Sequence, residues 1–246
     1  MDGLAFASRG ALVGTFVALC GVAAPQARDH ESSAAFLFAY RPKPGMEAEF
    51  AAGYRRHLDW HAAHGDSLAW LAWTIADGPN SGVFVDGTFG VSFEAFDDRV
   101  DPAGDGADAE RNVTAYADPL WREVYTLRRD LSSSARLEER TPLPLQRVVR
   151  VSVHPHSEAT FEAAIRESVA AYKGASLSVY RQVSSGRHGS YLLIVQLSSW
   201  RSLGDAGADV VDAILRRTAS AIESASTEMW QFRPDLTYVP GRERVD

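Results

Sequence analysis

Two side chains in this sequence have the chemistry for acid–base work in an enclosed site. Glu94 and His154 are a carboxylic acid and an imidazole, groups that can exchange a proton near neutral pH when shielded from water. Arg41 and Arg150 could hold a carboxylate or stabilise developing negative charge beside them. The bland counterpart is a Glu–Arg or His–Ser pairing that only ties strands together, and residue type alone does not separate the two. His57, His61 and His64 recur at helical spacing, within roughly 60° of one another around the axis. Three such imidazoles could bind zinc or ligate haem iron. Met46, Phe50 and Tyr54 share that face, however, so the expectation is histidines packed between helix and sheet, with no metal site. The acids Asp97, Asp98, Asp101, Asp105, Asp108 and Glu110 fail the calcium-loop template, which needs ligands where Ala103 and Asn112 stand, and they read as a solvated loop. Phosphate-cradling glycine loops, dinucleotide fingerprints, zinc-protease helix motifs and nucleophile elbows do not occur.

Side chains so scattered need a frame, and the chain supplies one by repeating itself. Val124 to Ser132 and Met229 to Thr237 agree in type at nine consecutive positions, each carrying an Arg and an Asp two residues apart. Upstream, Pro44 and Phe50 match Pro155 and Phe161, Ser67-Leu68 matches Ser176-Leu177, and Phe89 to Phe96 matches Leu193 to Trp200. Each copy reads as strand, helix, two strands, helix, strand. Repeat 1 spans 34–132, repeat 2 spans 146–239, and the Ser- and Pro-rich stretch 133–145 reads as a linker.

Strand alternation then sorts faces. In repeat 2, Val149, Val151 and Val153 are assigned to the helices, which turns Arg150, Ser152 and His154 to the other side. The same parity turns Tyr180, Gln182, Ile194, Gln196 and Ser198 inward. In repeat 1, Phe89, Val91 and Phe93 are assigned to the helices, leaving Asp86, Thr88, Ser92 and Glu94 inward, and matched positions add Arg41 and Trp73. An inward set so rich in hydrogen-bonding groups argues for a wet or ligand-filled interior, because buried polar groups without partners are costly. The expected ligand-binding set is therefore Arg41, Trp73, Ser92, Arg150, Ser152, Tyr180, Gln182 and Gln196, with Glu94 and His154 as catalytic candidates.

The unit order, the strand-Pro-helix openings at Pro44 and Pro155 and the hairpins ending in Phe96 and Trp200 resemble the dimeric α/β-barrel superfamily of ferredoxin-like folds, which includes NIPSNAP-like and antibiotic-biosynthesis-monooxygenase-like proteins. The resemblance implies an α+β fold, two fused ferredoxin-like β-α-β-β-α-β repeats whose antiparallel sheets pack into one α/β barrel around a cavity. In that superfamily the cavity serves ends from oxygenation and haem chemistry to no known activity, so fold and pocket location carry over and the reaction does not.

The 246 residues, 46% hydrophobic and 23% charged, suit a globular protein. A formal charge of -7 lacks the basic footprint of a nucleic-acid binder. Arg9 followed by the apolar run Ala11 to Ala24 has the form of a secretory signal, placed at 1–27 and too short to span a membrane. Cys20, the only cysteine, would leave with it, so disulfides and thiolate chemistry are excluded from the mature chain. The expectation is an exported barrel, periplasmic or secreted, monomer or homodimer, binding a small molecule and without stable membrane insertion. The alternative is a cofactor-independent or haem-dependent oxidoreductase, monooxygenase-like, using the barrel cavity; the residues themselves name no cofactor and leave open whether it is an enzyme.

Overall fold

The computed structural model describes residues 33–174, 176–204 and 210–242. The apolar run from Ala11 to Ala24, Cys20 and the expected cleavage region lie outside the described residues. Two rounds of one element order follow. The first is β1 (Ala34–Pro42), α1 (Glu47–Ala63), β2 (Leu71–Asp77), β3 (Phe84–Val91), α2 (Pro102–Ala109) and β4 (Ala117–Leu127). The second is β5 (Leu145–Val153), α3 (Glu158–Ala171), β6 (Leu177–Ser184), β7 (Ser190–Leu197), α4 (Val210–Arg217) and β8 (Ile222–Phe232). Among the described residues no helix is long and apolar enough to cross a membrane.

All eight strands pair antiparallel in the order β1-β3-β2-β8-β5-β7-β6-β4, and β4 pairs back onto β1, so the sheet closes on itself. Each half keeps the order 4-1-3-2, and the halves join at two seams, β2 with β8 and β4 with β6. Helices cover the outside. In the second half Val149, Val151 and Val153 of β5 and Leu193 and Val195 of β7 meet Phe161 and Ile165, one turn apart on α3, and Ile214 of α4. In the first half Phe50, Tyr54 and Leu58, at helical spacing on α1, meet Phe36 and Phe84. Acidic Glu47 and Glu49 in the first turn of α1 suit the positive end of its dipole.

A reciprocal clasp reinforces both seams. Arg128 and Asp130, just past β4, engage Glu162 and Arg166 of α3, while Asp235, just past β8, takes Arg55 of α1 at 2.7 Å. The Arg and Asp repeated in the sequence thus tie the end of each half to the first helix of the other. Halves cut within 133–145 would expose the edges of β2 and β4, or of β6 and β8, as unpaired strands. Separately expressed halves are therefore expected to be insoluble or to self-associate, read by light scattering; two monomeric halves with sharp unfolding transitions would contradict the closed architecture.

Face parity holds through the second half but fails on β3. Gly90 takes φ +68° and a bulge falls where Ala34 pairs with Val91 and Ala35 with Phe89. The extra residue reverses parity, so Phe89 enters the barrel and Asp86 and the fully buried Thr88 lie on the helix side. The barrel middle is not a wet cavity. Leu37, Trp73, Val85, Phe89, Tyr180 and Trp230, among others, fill it as one apolar cluster. Within the linker 133–145, Leu137 is buried in that same cluster, and Glu138 accepts the Tyr180 hydroxyl at 2.9 Å, plugging one barrel end.

Candidate functional site

The acids and the histidines that were read separately in the sequence come together on the helix side of the first half. His57 and His61 stand four residues apart on α1, so both project from one face toward β2 and α2. The stretch expected to be a solvated loop is largely helix: Asp101 caps α2 by accepting the Gly104 N–H at 3.1 Å, Pro102 follows, and a π-helical turn, Glu110–Thr114, ends it. This helix delivers Asp105 and Asp108 to the histidines. Gly53 sets the distance between the two elements, because a Cβ there would lie 2.1 Å from the carbonyl oxygen of Asn112.

Three potential ligand atoms converge. His57 Nε2 and His61 Nε2 are 3.3 Å apart, and Asp105 Oδ1 lies 3.5 Å from the first and 3.6 Å from the second. A point equidistant from all three is about 2.0 Å from each, the bond length of a first-row metal to imidazole nitrogen or carboxylate oxygen.

The far sides of both rings are held as metal-ligating histidines usually are. His57 Nδ1 is 2.8 Å from Asp108 Oδ2, and Asn112 donates to the other oxygen of Asp108 at 3.0 Å. His61 Nδ1 is 2.8 Å from Asp66 Oδ2, a charge contact whose approach is bent away from a formed hydrogen bond. Asp66 also accepts the Leu68 N–H at 2.9 Å and the Trp70 indole N–H at 2.8 Å.

Electrostatics follow from these partners. Burial alone would raise the Asp66 and Asp108 carboxyls, but the close contact of His61 and the hydrogen bonds from Trp70 and Leu68 to one, and the hydrogen bonds from His57 and Asn112 to the other, hold both below the usual carboxylate range. Burial, and then neighbouring His61, lower the His57 pKa, which keeps that imidazole neutral at pH 7. The hydrogen bond to Asp108 places the His57 proton on Nδ1, so its Nε2 presents a lone pair toward His61 Nε2 and Asp105. A cation at that point would bind all three atoms, while a His61 Nε2–H donated to His57 Nε2 at 3.3 Å meets the same geometry without one. The rings of His57 and His61 are buried, as packing histidines would be, and stand with Asp105 within reach of one ion. His64, exposed and turned to the carbonyl of Trp60, stands apart from the cluster.

A cavity of about 70 Å³ opens beside this point, walled by Tyr40, Tyr54, Trp70, Asp86 and Arg99 together with the histidines and Asp105. Tyr54 donates a short hydrogen bond to Asp86, whose other oxygen is buried without a partner. Burial pushes the Asp86 carboxyl up to about 7, so it can hold or release a proton at the cavity wall near neutral pH. A porphyrin is many times larger than this space and does not fit it.

The residues expected from alternation scatter. Glu94 lies in an exposed single turn after β3 and His154 is exposed past the end of β5, so neither enters the barrel and no acid–base pair forms. Arg41 is exposed at the end of β1, and the Ser92 hydroxyl caps the following turn through the Ala95 N–H. Trp73 and Tyr180 are core. Gln196 accepts the Leu143 N–H at 2.8 Å and closes a barrel end with Gln146. Arg150, Ser152 and Gln182 do share a cavity, of about 230 Å³, with Glu123, Tyr125 and Ser190. The guanidinium there already has a protein partner: Nη1 is 2.5 Å from Glu123 Oε2 and 3.0 Å from the Tyr125 hydroxyl, and the ring of Trp121 lies 4.7 Å away.

No protein-family model and no curated protein sequence matches the chain. Solved structures do match in shape. A protein of Lactobacillus acidophilus provisionally assigned as a monooxygenase superposes with a TM-score of 0.57 at 11% identity, covering 87% of this chain and all of the other. An anthrone oxidase-like protein gives 0.58 at 12% identity, covering 86% and 95%. The chlorite dismutase of Candidatus Nitrospira defluvii, in complex with imidazole, gives 0.56 at 7% identity, covering 83% and 92%. At such identity the likeness is one of fold, and the fold is of the ferredoxin type.

Proposed function

We propose that this chain is a metal-dependent oxidoreductase whose centre is a single ion held by His57, His61 and Asp105. One observation carries the reading: three ligand atoms lie within 3.6 Å of one another, with a carboxylate behind each imidazole. Two histidines and one carboxylate leave coordination positions open and suit iron(II) among the first-row ions. When bound, such an ion would supply a Lewis-acidic, redox-capable centre at the cavity. The residues around it have separable tasks. Asp108 and Asp66 orient the imidazoles, Arg99, 3.5 Å from Asp105 Oδ2, steadies the third ligand, and Asp86 with Tyr54 exchanges a proton at the opposite wall. The monooxygenase and oxidase descriptions of similar folds favour redox chemistry over hydrolysis.

The test is the anaerobic iron(II)-loaded chain treated with nitric oxide. An open position is expected to give the half-integer high-spin resonance of an iron–nitrosyl adduct, lost in Asp105→Ala. Tight zinc retention with no nitrosyl signal from the iron form would contradict redox use of the site.

The near twofold repetition of elements and clasps supports an origin by internal duplication, with the metal ligands confined to the first copy, since Ser168 and Tyr172 stand where His57 and His61 would be. Export with removal of about the first 27 residues is the reading of the apolar run at Ala11 to Ala24, and an intact mass of secreted protein checks it.

A further inference from the structure

Where β2 meets β8, the C-terminal run from Pro234 to Arg242 and the linker turn at Arg140 to Pro142 wall a separate cavity of about 220 Å³. Its floor and sides are apolar: Leu71, Phe232, Val239 and the ring of Tyr238, with two prolines. Among the described residues the charged ones lining it are Arg140 and Arg242, with no carboxylate. Neither guanidinium has a hydrogen bond or ion pair among the described residues.

The backbone at Arg140 adds an independent sign. It takes φ +57°, the left-handed region that a residue with a long side chain avoids, and the turn is fixed by Arg140 N–H to the carbonyl of Leu137 at 3.0 Å and Thr141 N–H to that of Arg136 at 3.0 Å. Strain held at a position whose side chain faces a cavity marks a place where that side chain is wanted. Two guanidiniums without a partner among the described residues, over a largely apolar pocket, complement a molecule with one anionic head and a hydrocarbon body.

We propose that this cavity binds a small amphiphilic monocarboxylate, an acyl or aryl acid, with its carboxylate between Arg140 and Arg242 and its tail against Leu71, Phe232 and Val239. Tyr238 separates this site from the metal centre, its ring 6.3 Å from that of His61 and its hydroxyl donating to the Asp66 carbonyl at 2.8 Å, and binding of the acid needs no metal. Full-length chain as purified is titrated by calorimetry with octanoate, 3-phenylpropanoate, octanol and acetate. Octanoate or 3-phenylpropanoate is expected to bind with a sub-millimolar constant, the better of them naming the tail class, and octanol and acetate at least about tenfold more weakly, because each lacks half of the recognition. Arg242→Gln, at an exposed position that cannot unsettle the fold, and Arg140→Gln, with its fold checked by thermal melting, should each weaken the preferred acid about tenfold. Octanol binding as tightly as octanoate, affinity unchanged in Arg242→Gln, or no binding of either acid below about 10 mM would overturn the proposal.

Discussion

Arg150→Met is expected to destabilise the protein by about 3–5 kcal/mol, because it strands a carboxylate that the barrel has already enclosed. The guanidinium is paired with Glu123 and Tyr125, and the Tyr125 hydroxyl donates to the same Glu123 oxygen at 2.8 Å, so three groups share one buried network. Side-chain exposure is 23% for Arg150 and 15% for Glu123, too little for water to replace the lost partner. A methionine fills much of the volume beside Trp121 and Trp230 but supplies no charge. The double variant Arg150→Met/Glu123→Gln should recover most of the loss, since it removes both charges together. Chemical denaturation of the four proteins of this cycle measures the coupling. A single variant as stable as the wild type would show that Glu123 does not depend on Arg150, and would revive a ligand as the partner that the guanidinium awaits.

The second large effect is expected at the carboxylates behind the histidines. Asp108→Asn leaves His57, His61 and Asp105 in place but weakens the hold on the His57 Nδ1 proton, so metal affinity should fall by about 10–100-fold. Asp66→Asn should act in the same direction through His61, with an added loss of stability because Asp66 also anchors Leu68 and Trp70. Acid should release the ion from the wild type, since both imidazoles must be neutral to bind it. Burial, which lowers the His57 pKa below its ordinary 6.5, favours retention to more acidic pH than a solvent-exposed histidine pair would show. Competition against a chelator of known affinity, followed across pH, reads all three effects. An Asp108→Asn protein that binds metal as tightly as the wild type would mean that the carboxylate does not orient the ring.

Much of the frame is legible in the chain because it is local. Pro44 and Pro155 mark the entries to α1 and α3, and the valines of β5 alternate cleanly, so helix side and barrel side are readable in the second half. On β3 the same logic fails at Gly90, one residue whose positive φ inserts a bulge and turns every side chain before it to the opposite face. Glycine in a strand is the visible signal, and it also moves Asp86 from the barrel to the metal cavity. The centre itself is assembled from two parts, each read alone as inert. His57 and His61 sit among packing residues, and Asp105 and Asp108 sit in what composition marks as a solvated acidic loop. Asp101-Pro102 was a helix-start signature, and three-residue spacing put Asp105 and Asp108 on one face of that helix. What no local pattern carries is that α2 and its π-helical turn pack against Gly53 of α1, the contact that joins acids to imidazoles. The unpaired edges of each half likewise find their partners only across the chain, at β2–β8 and β4–β6.

Metal content tests the central claim most directly. The full chain is loaded anaerobically with iron(II), freed of excess by gel filtration and measured for metal per chain by mass spectrometry, beside a His57→Ala/His61→Ala variant verified to be folded. Close to one ion per wild-type chain and essentially none in the variant is the expected result, with a higher melting temperature for the loaded wild type than for its chelated form; an ion that raises stability only by binding the native state does so by about 2.7 kcal/mol at a hundredfold excess over its dissociation constant. Equal metal content in the two proteins, or none in either with no thermal shift, would contradict it.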